Sequence, residues 1–67
     1  MTVARVTEII AGSRAGFDDA IRSGVERAHR TLDNVQGAWV KDMKVVCEDG
    51  KIVEYRVGLM VTFILND

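Results

Sequence analysis

The chain has 67 residues, 48% hydrophobic and 28% charged, with 9 Lys and Arg against 10 Asp and Glu and a formal net charge of -1. Interleaved charges of both signs exclude the basic footprint of a nucleic-acid-binding protein, and the single cysteine, Cys47, excludes an internal disulfide or a zinc site built on paired thiolates. No apolar run is long enough to span a bilayer, and Arg5 and Glu8 arrive before any hydrophobic region develops, so the expectation is a soluble, cytoplasmic protein without a signal peptide. A chain this short buries only about 60% of its unfolded surface, which leaves little net stability and points to self-association as added support.

Thr2 to Ala11 alternates and is rich in β-branched residues (Val3, Val6, Thr7, Ile9, Ile10), so it is expected as a first strand stopped by Gly12 and Ser13. Ser13 is the expected N-cap of a helix running from Ala15 to about Leu32. Along it Phe17, Ala20, Ile21, Val25, Ala28 and Leu32 recur at helical spacing, while Asp18, Arg22, Glu26 and Arg30 form an i,i+4 ladder on the opposite face. Gly24 falls on the apolar side, where it would let the helix lie close to a sheet.

Asp33 and Asn34 close the helix, and Val35 to Glu48 gives a second extended run. Asp49-Gly50 then favours a type I′ hairpin turn into Ile52–Leu65, the strongest local signal in the chain. Its odd positions, Val53, Tyr55, Val57, Leu59, Val61, Phe63 and Leu65, are all apolar. At about 3.3 Å per residue this strand would run on the order of 45 Å, so a bend is expected, most easily at Gly58. The pattern predicts one α+β domain over residues 1–67: a β-α-β-β subunit with a three-stranded antiparallel sheet wrapped around one helix, strand order 2-3-1. One helix covers one sheet face. The other must meet solvent, a ligand or other subunits, and its apolar content favours the last two.

Chemistry is sparse. Ser13 and Cys47 find no base, because the only histidine, His29, sits on the polar face of the helix, and the glycines fit no phosphate-loop spacing, so the chain is not expected to be an enzyme. Two residues stand out. Simple alternation places Trp39 with Gly37, Lys41 and Met43 on the uncovered face and turns Ala38 and Val40 to the helix. There the indole is either a platform for a flat ring or part of a subunit interface. Arg56 lies mid-strand on the same face, where it calls for an ion pair with Glu54, Glu8 or a neighbouring subunit, or for an anionic ligand.

Several segments in order resemble the dodecin family: Arg5-Val6-Thr7-Glu8-Ile9-Ile10 into Gly12-Ser13, Asp19-Ala20-Ile21 and Arg27-Ala28 on the helix, and Val61-Thr62-Phe63 near the end. The resemblance implies a subunit wrapped around its helix, a hollow homododecamer, and storage or buffering of flavin (riboflavin or FMN) stacked between tryptophans of symmetry-related subunits. Aligned from Leu32-Asp33-Asn34-Val35, the family's stacking tryptophan falls on Gly37 and the glutamine that reads the flavin edge falls on Arg56. Arginine has donors but no acceptor, so the standard contact changes. Of the basic positions used toward phosphate, Lys44 remains basic and Ile64 does not. The resemblance therefore names Gly37, Trp39, Lys44 and Arg56 as candidate ligand-binding residues. The same two substitutions resemble the calcium-dodecin branch, which implies an alternative: a structural assembly with its pocket filled by Trp39 and Arg56 and with calcium between subunits. The acidic candidates, Asp18, Asp19, Asp42, Glu48 and Asp49, form no contiguous ligand loop.

Overall fold

A computed structural model describes residues 2–65. Strand β1 (Ala4–Ser13), helix α1 (Phe17–Thr31) and strands β2 (Val35–Glu48) and β3 (Lys51–Ile64) follow the expected β-α-β-β order and form one antiparallel sheet, β1-β3-β2. The helical crossover leaves β1 and β2 parallel to each other, and the tight turn sends β3 back between them. Asp49 and Gly50 have φ values of 51° and 76°, the left-handed pair a type I′ turn requires.

Two local expectations at the start of the helix are corrected. β1 continues through Gly12 and Ser13, which pair with Arg56 and Tyr55. Gly12 is tolerated there because the Glu54 carboxyl group fills the space a side chain would take, 3.0 Å from an ideal Cβ. The helix begins at Phe17 with Gly16 as N-cap, and Ser13 does not cap it. Instead the Ser13 Oγ accepts from the Ala15 N–H at 2.9 Å and donates to Asp19 Oδ2 at 2.6 Å, tying the end of β1 to the first helical turn. At the far end the Leu32 N–H closes onto the Ala28 carbonyl at 2.8 Å.

The core is narrow. Ala20, Gly24 and Ala28, spaced by four along one line of the helix, are buried against Val57, Leu59 and Val61 of β3. A Cβ on Gly24 would lie 2.7 Å from Leu59 Cδ1 and 3.0 Å from Ala11 Cβ, so the missing side chain sets how closely helix and sheet approach. The helix sits over β1 and β3 and scarcely reaches β2. Ala38 and Val40, expected under the helix, share its side of the sheet through their pairing with Val61 and Leu59 but remain exposed.

The β2–β3 register shifts at Val35/Gly37, at Val40/Asp42 and at Val46/Cys47. Each shift adds an unmatched residue, bends the ribbon and increases its twist. The middle one reverses the expected parity: Met43 pairs with Val57 on the helix side, and Asp42, Lys44 and Val46 turn to the uncovered face opposite Gly58, Arg56 and Glu54. It also locates the bend expected at Gly58, where an added Cβ would lie 2.5 Å from Asp42 Oδ1. The resulting subunit is long and thin, 52 × 19 × 14 Å. Its radius of gyration is 13.7 Å, whereas a compact chain of this length would have about 11 Å.

Candidate ligand site on the uncovered sheet face

Register assigns the uncovered face row by row, because directly paired residues project to the same side. Val6, Thr62 and Gly37 form one row, Glu8, Met60 and Trp39 the next, then Ile10, Gly58 and Asp42, then Gly12, Arg56 and Lys44. All of the sequence-derived candidates, Gly37, Trp39, Lys44 and Arg56, therefore share one face. They divide into an aromatic end and a basic end. Trp39 pairs with Met60, which is four residues from Arg56 along β3, a separation of about 13 Å.

At the aromatic end Trp39 is 52% exposed. Nothing lies within 4 Å of the position a Cβ would take on neighbouring Gly37, so open space adjoins the indole on its own side of the sheet. Indole is rigid and polarisable, and an uncovered one offers a stacking surface at little entropic cost. At the basic end the Arg56 Nε donates to Glu54 Oε1, the ion-pair partner named first from the sequence. Glu54 is itself seated over Gly12, so its carboxylate orients the guanidinium. Lys44 is exposed beside them.

Two features between these ends were not read from the sequence. Lys41 Nζ reaches across β3 to Glu8 Oε2 at 3.1 Å, and the Asp42 carboxylate lies over Gly58. Both depend on the bulge between Val40 and Asp42, which leaves no trace in composition or alternation. The acidic residues considered for calcium stay apart: Asp19 is engaged by Ser13, and among the described residues no group of three or more His, Cys, Asp or Glu could hold a metal ion.

Comparison with known proteins places this geometry. No match is found among curated protein sequences. Among solved structures, the dodecin from Streptomyces davaonensis is 36% identical, with 98% of this chain and 97% of that one covered and a TM-score of 0.93. The dodecin from Streptomyces coelicolor is 35% identical over 98% of this chain and 94% of that one, with a TM-score of 0.94. A calcium-chelating immunodominant antigen of Mycobacterium tuberculosis, a calcium dodecin with a novel calcium-binding site, is 31% identical over 96% and 91% of the two chains, with a TM-score of 0.83. The dodecin family model matches residues 3–66, and the chain belongs to the dodecin family.

Proposed function

We propose that the protein is a homo-oligomeric cage, a dodecamer on the family pattern, that holds or buffers a small planar ligand and does not transform it; flavin, as riboflavin or FMN, is the first candidate. The observation that carries the reading is the half-exposed Trp39 indole beside the open space at Gly37, on a sheet face its own chain leaves uncovered. Relative to the flavin-binding pattern the stacking surface moves two residues along β2, from Gly37 to Trp39.

The test is riboflavin or FMN titrated with the protein and followed by flavin fluorescence, alongside native mass spectrometry of the particle. Quenching that disappears in Trp39→Ala while the subunit number stays the same supports the reading. Unchanged fluorescence at micromolar protein refutes the flavin assignment, and a monomer refutes the cage.

A second reading rests on the Arg56–Glu54 pair. A guanidinium already paired with a carboxylate of its own chain serves as pocket filler, with Trp39, in a structural assembly that binds calcium between subunits. The calcium dodecin among the relatives supports the cation part of this reading. Added calcium then raises the melting temperature of the assembly and a chelator lowers it, with riboflavin fluorescence unaffected.

A further inference from the structure

The β2–β3 hairpin outruns the rest of the fold. β1 makes its last pair at Ser13 with Tyr55, and the helix reaches the same level, where Phe17 and Tyr55 meet edge-to-face at 5.1 Å between ring centroids. From Val46 to Glu54 the chain is a two-stranded ribbon with no third strand and no helix over it, projecting about 15 Å. Arg14, in the loop before the helix, flanks this ribbon beside Val46 and Glu54. An isolated two-stranded hairpin is marginal in water. This one also carries exposed apolar side chains, Ile52 at 51% and Val53 at 37%, and its tip bears Glu48 and Asp49 against the single Lys51.

At the opposite edge of the sheet the reverse is true. An open groove of about 560 Å³ runs between β1 and the helix, floored by Ile9, Ala11, Gly24, Ala28 and Leu32. Ser23, Thr31 and Arg27 also line the groove, and Arg27 is its one charged residue among the lining residues.

We infer that the hairpin end of one copy docks in the groove between β1 and the helix of the next copy, with the acidic tip toward Arg27. Each surface supplies what the other lacks: a greasy ribbon without cover, a greasy groove without an occupant, and opposite charges at their rims. The contact joins two different surfaces, so each copy both gives an arm and receives one, and the chain of contacts must close on itself to make a finite particle. The inference rests on the self-association proposed above and specifies the surface that carries it.

Cys47 lies on the hairpin end and is the chain's single cysteine, so it reports the arm directly. Ser23→Cys and Thr31→Cys, each made singly, place a second thiol at the groove, and Arg22→Cys places one on the exposed polar face of the helix as control. Treatment with a short bis-maleimide tolerates a wider spread than the roughly 4–7 Å between Cα atoms that a disulfide demands. The inference expects a ladder of linked multimers with the two groove variants, drawing in most of the monomer band on a denaturing gel, and little beyond the monomer with Arg22→Cys. Hydrogen exchange on the unaltered protein supplies a second measurement: amides of the hairpin end are protected in the assembly and lose that protection on dissociation. An intact oligomer by native mass spectrometry that gives no ladder from either groove position, or that ladders through Arg22→Cys instead, overturns the docking while leaving self-association standing. A monomer by the same measurement overturns both.

Discussion

Replacing Gly24 by alanine sets two effects of similar size against each other. Helix propensity alone favours alanine by about 1 kcal/mol in a helix interior. Here the new methyl would start 2.7 Å from Leu59 Cδ1 and 3.0 Å from Ala11 Cβ, against an ordinary carbon–carbon contact of roughly 3.5–4.0 Å. Leu59 can rotate, although it is fully buried; the Ala11 methyl is fixed to its backbone and cannot. The helix must therefore lift by several tenths of an ångström, which loosens Ala20 and Ala28 on the same line. Overpacking of this kind costs about 1–3 kcal/mol, so the net expectation is a destabilisation of about 1 kcal/mol. For a chain of this size that lowers the melting temperature by roughly 4–8 °C. Thermal unfolding must be compared at one fixed protein concentration, because association contributes to the apparent stability. Ser23→Ala, one position away and exposed, removes the packing effect and should stabilise by a few tenths of a kcal/mol, in the direction of propensity. A Gly24→Ala protein more stable than the parent by about 1 kcal/mol would refute the close-approach argument, since that is the outcome propensity alone gives.

Gly50→Ala forces a Cβ onto a residue with φ of 76°, and denaturant unfolding should register a loss of about 1 kcal/mol. Lys41→Ala removes an exposed bridge to Glu8 and should change stability by less than about 1 kcal/mol, with the difference shrinking further in high salt. Gly37→Trp enters open space, so the particle should assemble as before; on the proposed function it should bind riboflavin about tenfold or more tightly, as read by fluorescence titration, through the added stacking surface. Arg56→Gln releases Glu54 and supplies an acceptor as well as a donor, and the same titration should show tighter flavin binding than the parent, whereas no change would favour the filler reading.

The fold was legible where one local rule decided each element. The odd apolar residues of β3 fixed its buried side, Asp49-Gly50 fixed the hairpin, and the helical spacing from Phe17 to Leu32 fixed the crossover, which together leave β3 in the middle. Gly24 was legible for the same reason, since a glycine on an apolar stripe has few other uses. What failed depended on contacts distant in sequence. Ser13 satisfies the Asn/Asp/Ser preference for a cap, yet it lies four residues before the helix begins at Phe17, and its hydroxyl is taken by Asp19 and by the Ala15 N–H. Gly12 looked like a stop because nothing local announces that Glu54 will occupy its empty side. Of the candidate site, the common face of Trp39 and Arg56 was legible, as was the Glu54 partner. The roughly 13 Å between them, and the Asp42 and Lys41–Glu8 groups in that gap, were not, because they follow from one unmatched residue in the β2–β3 ladder.

That unmatched residue acts as a phase marker for β2 between its other two shifts, from Gly37 to Val46. Before it, odd-numbered residues such as Gly37 and Trp39 look away from the helix; after it, Lys44 and Val46 do, so the two halves of the strand are read in opposite parity. A single deletion at Lys41 would remove the unmatched residue and leave Asp42 opposite Gly58 and Met43 opposite Val57, each on its present face, with loss of the Lys41–Glu8 bridge. Comparing β2 among related chains by hydrophobic alternation alone will therefore slip by one position. Any residue-by-residue transfer of ligand contacts across this strand has to be counted through the bulge.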